Sequence, residues 1–211
     1  MERRGRFVVL EGIEGAGKST HTAHLASWLE EQGIPVVAAR EPGGTALGER
    51  LRNILLDPEV TDLSPQAELL LMFAARSASL KEVILPALAK GSWVLCDRFV
   101  DSSYAYQAYG RGLPLEHVET LDRQVLGGLQ ADLTVVLDTP VSVGLARKAG
   151  PHDSDRFERE SAAFFDRVRT GYLQRAASGG ERYRVIDASR SVQEVNRELK
   201  GLLQELLVSI T

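Results

Sequence analysis

Phe7-Val8-Val9-Leu10-Glu11-Gly12-Ile13-Glu14-Gly15-Ala16-Gly17-Lys18-Ser19-Thr20 is the stretch that decides the fold. Its first five residues form an apolar β run. Gly12 to Ser19 then fit the pattern G-x-x-x-x-G-K-[ST], and a helical stretch opens at Lys18. A chain of this composition would meet that pattern by accident about four times in a thousand, so a mere strand-to-helix turn is disfavoured. Glycines let successive backbone N–H groups curl around a phosphate, and the helix N-terminus adds partial positive charge. Lys18 is expected to bridge the β- and γ-phosphates, and the Ser19 hydroxyl to ligate Mg²⁺. Gly12, Ile13, Glu14, Gly15, Ala16, Gly17, Lys18, Ser19 and Thr20 are thus predicted to bind a nucleoside triphosphate.

Outward from this loop the chain alternates short strands with longer helices. Strands are predicted at Arg6–Glu11, Ile34–Ala39, Ser92–Asp97, Leu133–Asp138 and Tyr183–Asp187. Several are near-continuous apolar runs, as parallel strands covered on both faces should be. Helices are predicted at Lys18–Gln32, Leu47–Leu56, Pro65–Lys90, Leu115–Val125, Phe157–Ala176 and Val192–Leu207. Ser64-Pro65 is a good helix start, and Pro86 is expected to kink or end that third helix. Phe157, Phe164, Val168 and Tyr172 keep helical spacing and read as core. The predicted fold is α/β: a three-layer sandwich of the P-loop NTPase type, with a five-stranded parallel sheet flanked by helices, in a single domain over residues 1–211.

Composition narrows the partners. The chain has 211 residues, 44% hydrophobic and 26% charged, with a formal net charge of −4. Such a balance opposes bulk binding to nucleic acid or an anionic membrane. No apolar run approaches the roughly 18 to 20 residues of a membrane span, and the N-terminus lacks a signal-peptide core. Cys96, alone, is expected to be a buried thiol in a reducing, cytoplasmic compartment. The four histidines have no metal-ligand spacing; His21 and His24 share a helix face and are expected in solvent.

A second acid should stand near the Mg²⁺ at another strand end. Asp97 and Asp138 both qualify. Asp97 is preferred because Arg98 follows it, placing a carboxylate and a guanidinium together, whereas Asp138 precedes Thr139-Pro140 and suits a helix cap. No Asn-Lys-x-Asp guanine reader and no Asp-x-x-Gly switch is present, which removes a GTPase. What remains is a small phosphotransferase with a second substrate facing the γ-phosphate; a slowly hydrolysing P-loop switch protein is the alternative outside catalysis.

The matching residues then become specific. Glu11 to Thr20 are joined by Arg40-Glu41-Pro42-Gly43-Gly44-Thr45, Phe73-Ala74-Ala75-Arg76, Asp97-Arg98-Phe99, Tyr106-Gln107 with Gly110-Arg111-Gly112, and Asp155-Arg156-Phe157-Glu158. In this order they resemble the bacterial thymidylate kinases, which convert dTMP to dTDP with ATP and magnesium. A kinase of another nucleoside monophosphate is the runner-up. The resemblance implies that Arg98 clamps the dTMP phosphate and that Glu41, Pro42 and Arg52 line the acceptor site. It implies that Phe73 stacks on thymine while Arg76 donates to a thymine carbonyl, although periodicity alone makes Phe73 a core residue and puts Met72 four before the arginine. Ser103 would touch the base edge, Gln107 would belong to the dTMP site, Tyr106 would crowd the sugar 2′ position, and Glu14 would lie near the 3′-hydroxyl. This P-loop lacks an arginine. By resemblance, transition-state charge then comes from a lid at about 147–158, through Arg147 and Arg156. Ser189 would cover adenine, and a homodimer is expected.

Overall fold

The computed structural model describes residues 5–148 and 155–208. Five strands form one parallel sheet: β1 (Phe7–Glu11), β2 (Val36–Arg40), β3 (Trp93–Asp97), β4 (Leu133–Asp138) and β5 (Tyr183–Asp187), in the order β2-β3-β1-β4-β5. All five predicted strands are present. β1 is central, with Val8 beside Leu95 on one side and Leu133 on the other.

The side-chain period of two explains the layers. Phe7 and Val9 point into a core with Leu69, Phe73, Ile84 and Val118, beneath α3 (Pro65–Ser79) and α6 (Leu115–Leu126). Val8 and Leu10 point the opposite way, among Leu25 and Leu29 of α1 (Lys18–Glu31) and Val195 and Leu199 of α9 (Val192–Val208). A third cluster joins Ile13 and Tyr106 to Phe157, Phe164, Val168 and Tyr172, so those aromatics are core as expected. Phe157, however, lies in a turn, because α8 (Ala162–Ser178) starts only at the Ser161 cap.

Pro86 ends nothing. A π turn over Leu80–Ile84 connects α3 to α4 (Leu85–Ala89), and the widened turn carries the chain past the proline ring. The periodicity also left unassigned α5 (Val100–Ser103), continued as a π-helical stretch Tyr104–Gly110, and α7 (Val141–Lys148). Both leave the carboxyl ends of strands, with α2 (Ala46–Leu56) between β2 and α3, and together they enclose the crevice where open α/β sheets bind ligands. Among the described residues no helix is long and apolar enough to cross a membrane.

Candidate active site

A cleft of about 680 Å³ opens over the carboxyl end of β1. One end is the P-loop. Gly17 takes a left-handed backbone (φ 90°) at the entry to α1, which Cβ-bearing residues adopt at a cost. The Lys18 ammonium folds back to donate to the Gly12 and Ile13 carbonyls at 3.0 and 2.8 Å. Burial, then nearby Arg98, pull its pKa down to about 8, against the opposing charges of Asp97, Glu14 and Glu11.

Ser19 donates to Asp97 Oδ2 at 2.7 Å, so the two expected metal ligands meet across α1 and β3. A hydroxyl and a carboxylate beside a phosphate cradle are the oxygen donors that Mg²⁺ takes. Asp138 does something else: its carboxylate receives Arg169 through both oxygens, at 2.6 and 2.8 Å, instead of serving as a helix cap.

The middle of the cleft belongs to Arg98, the one described non-glycine residue at positive φ (69°). Its Nη1 donates to the Gly12 carbonyl and to the Tyr172 hydroxyl, both at 2.9 Å, and Nη2 donates to Glu14 Oε1 at 2.9 Å. Burial opposes its charge, but Tyr106, Tyr172, Glu14 and Asp97 around it hold it firmly cationic. Tyr106 donates to the other Glu14 oxygen at 2.5 Å. Glu14, expected near a sugar hydroxyl, thus first of all orients Arg98 and Tyr106. Behind them Glu11 is wholly buried; burial and the charge of Asp101 push its carboxyl up to about 7.

At the far end Arg76 is buried and fixed on three sides, with Nε to Glu41, Nη1 to Ser103 and Nη2 to the Phe99 carbonyl at 2.7, 3.0 and 2.9 Å. Glu41, Pro42, Arg52, Ser103, Tyr106 and Gln107 all line this end, with Arg52 donating to the Pro42 carbonyl. Phe73 does not. It is packed in the core with the Arg76 guanidinium 4.6 Å above its ring, and Met72 lines the cleft instead. The reason is helical phase: one residue's rotation, about 100°, exchanges a cleft-facing position for a core-facing one.

On the opposite side Arg147 donates to the Ala188 carbonyl at 2.7 Å and the Ser189 carbonyl at 3.1 Å. Ser189 contributes only that carbonyl; its hydroxyl donates to Asp187, and the cleft is lined by Ala188, Arg190, Ser191 and Val192. His21, expected in solvent, is buried against the cleft, with Nδ1 bonded to Asn196 Oδ1 at 2.7 Å. Asn196 lies on α9, far along the chain, so no local signal reveals that partner.

Of the expected lid, residues 149–154 lie outside the described residues. Arg147 and Lys148 line the cleft at one end of it, and Asp155 and Glu158 at the other. Arg156 turns away. It donates to the Leu55 carbonyl at 2.9 Å, lies against the Phe157 ring and meets the buried Glu68 carboxylate at 2.6 Å in a charge contact that is not aligned as a hydrogen bond. Burial of Glu68 explains this, since such a carboxylate requires cations, and Arg111 and Arg156 both supply them. Where the P-loop meets α7, Gly15 and Gly144 touch: a Cβ on Gly15 would lie 2.1 Å from the Gly144 carbonyl oxygen, and one on Gly144 2.6 Å from that of Glu14.

The comparisons with known proteins agree with this geometry. The family model described as thymidylate kinase matches residues 10–199. A thymidylate kinase of Ectopseudomonas mendocina (strain ymp) is 53% identical over 203 residues, covering 96% of this chain and 97% of that one. One of Methylobacillus flagellatus is 50% identical over 202 residues, covering 96% and 98%. The crystal structure of thymidylate kinase from Ehrlichia chaffeensis superposes with a TM-score of 0.78 at 33% identity, covering 95% of this chain and 99% of that one. With the P-loop, the Asp97-Arg98 strand end and the Arg76 pocket in one cleft, the chain belongs to the thymidylate kinase family.

Proposed function

We propose that this chain transfers the γ-phosphoryl group of Mg²⁺-ATP to dTMP, giving ADP and dTDP on the route to dTTP. The observation that carries this is the continuity of the cleft: Arg98 stands between the P-loop and the pocket built around Arg76. An oxygen of the dTMP phosphate attacks the γ-phosphorus, the bridging β–γ bond breaks, and its electron pair stays on ADP. Such a transfer needs positioning and charge neutralisation rather than a covalent intermediate. Lys18 would neutralise the β- and γ-phosphates, and Arg98 would clamp the acceptor phosphate with its fork. Ser19 and Asp97 would hold the metal ion, which supplies charge neutralisation when bound.

Arg76, held by Glu41 and Ser103, would donate to a thymine carbonyl, with Met72 and Gln107 against the base. Tyr106 would close off the sugar 2′ position. Arg147, bonded to the loop after β5, would serve the ATP side, under a lid spanning about 147–158. The buried free thiol of Cys96 fits a cytoplasmic workplace. Leu47 and Ile54, two turns apart on α2, and Leu70 on α3 are exposed and support a homodimer formed through these helices.

The test is a coupled ADP-release assay across nucleoside monophosphates. dTMP should exceed dUMP by about 10–200-fold in kcat/KM, the worth of one buried methyl group. ADP release independent of any acceptor would overturn the proposal in favour of a switch protein.

A further inference from the structure

Behind Arg98 runs a row of polar groups that the transfer itself does not use. Glu11 ends β1, Ser102 lies on α5 and Tyr172 on α8, so three separate elements converge there. Glu11 and Tyr172 are buried and do not line the cleft. One of two short distances lacks a direction until the protons are counted. Ser102 Oγ lies 2.7 Å from Glu11 Oε2 and 2.7 Å from the Tyr172 hydroxyl. An ionised carboxylate only accepts, so the single Ser102 proton goes to Glu11. Tyr172 must then donate to Ser102, and its own oxygen is left to accept from Arg98 Nη1 at 2.9 Å. Every bond therefore runs one way, from the guanidinium through Tyr172 and Ser102 to the carboxylate, with Nη1 also reaching Ser102 Oγ directly at 3.4 Å, a longer and weaker contact.

The other Glu11 oxygen accepts from the backbone N–H groups of Phe99 and Ser102, at 2.8 and 3.2 Å. The same carboxylate thus fixes the loop bearing Arg98 and the end of its side-chain chain. The consequence for the guanidinium is specific. Gly12 and Tyr172 at 2.9 Å, with Ser102 Oγ more distantly at 3.4 Å, take up both Nη1 protons, and Glu14 takes one Nη2 proton. Among the described residues this leaves the Nε–Nη2 edge for a bidentate oxyanion.

We propose that Glu11, Ser102 and Tyr172 form a one-way hydrogen-bond chain that presents the Nε–Nη2 edge of Arg98 to the acceptor phosphate, which makes Glu11 and Tyr172 positioning residues for phosphoryl transfer. It rests on Arg98 being the acceptor clamp, and the test separates the two. At pH 8, where the Glu11 carboxyl is ionised, four variants are compared: Arg98→Ala, Tyr172→Phe, Glu11→Gln and Arg98→Ala/Tyr172→Phe. The readouts are KM for dTMP, KM for ATP and the competitive inhibition constant of thymidine, the same nucleoside without its phosphate.

Tyr172→Phe and Glu11→Gln should each raise KM for dTMP about tenfold, the worth of a hydrogen bond to a charged group. KM for ATP and the thymidine constant should not move, and Tyr172→Phe should add nothing in the Arg98→Ala background. Glu11→Gln keeps the shape of the side chain but turns an amide N–H donor toward Ser102 where an acceptor stood, so a purely space-filling Glu11 would tolerate it. Tyr172→Phe removes one oxygen from a packed ring, so the test stands even where Glu11→Gln does not fold. An unchanged KM for dTMP in Arg98→Ala would overturn the clamp itself. A large effect there with none in Tyr172→Phe, or a Tyr172→Phe effect shared by ATP and thymidine, would overturn the chain and leave the clamp standing.

Discussion

Lys18 is the residue whose protonation the bound nucleotide must change. Its ammonium is held by two carbonyls in a buried setting that pulls its pKa down to about 8. A polyphosphate favours the charged form, so nucleotide binding above pH 8 takes up a proton. Affinity for ATP should therefore fall as pH rises through 8, with a slope approaching about tenfold per pH unit. Calorimetric titrations in buffers of different ionisation enthalpy would read the proton uptake directly, and Lys18→Met should flatten the profile. Met72 and Phe73 offer a second contrast between neighbours. Phe73→Ala should cost about 3–5 kcal/mol of stability through a core cavity. Met72→Ala should cost less stability than Phe73→Ala, because Met72 only borders the third apolar cluster, and should raise KM for dTMP about tenfold, since Met72 alone of the pair lines the cleft.

At the scale of elements, the joint between α2, α3 and the turn at Asp155–Glu160 is built on charge. Glu68 on α3 receives Gln107, Arg111 and Arg156 with no exposure of its own. Arg156→Ala would leave the Leu55 carbonyl and part of that carboxylate unpaired, at a cost of about 2 kcal/mol that thermal unfolding can measure. Turnover should fall less than stability does. A kcat loss of about 10³ with an unchanged melting temperature would return Arg156 to the transition state. The sheet was legible in the sequence because its strands are buried on both faces and carry an unbroken apolar pattern. The P-loop and the Ser19–Asp97 meeting were legible because motif and strand end fix the backbone locally. The side toward which Met72 and Phe73 turn was not, since both are apolar and one residue of helical phase separates cleft from core. Nor were the burial of His21 or the anchoring of Arg156, because Asn196 and Glu68 reach them from distant segments. The helix at Val100–Ser103 and its π-helical continuation was missed because its apolar and polar residues follow the cleft, not a 3.6-residue stripe.

For the molecule as a whole, Leu47 and Ile54 on α2 and Leu70 on α3, two helices packed against each other, present exposed apolar side chains. Sedimentation should show a dimer, and Ile54→Glu with Leu70→Glu should give a folded monomer; an unaltered dimer would place the contact elsewhere. The cleft, by contrast, is organised from the centre of the sheet outward, and the paired glycines at its edge carry this further. Gly15 and Gly144 meet backbone to backbone, with the Ile13 side chain packed against Gly144 and Arg147 donating to the Gly15 carbonyl, so the P-loop and α7 have little room to move apart. Loop and helix should therefore behave as one mechanical part. Their amide hydrogens should exchange with solvent at a common rate, through a single shared opening, and nucleotide should slow both together. Gly144→Ala, by wedging a methyl group against the Glu14 carbonyl, should split that common rate in two, with the P-loop exchanging faster while the central strands keep theirs.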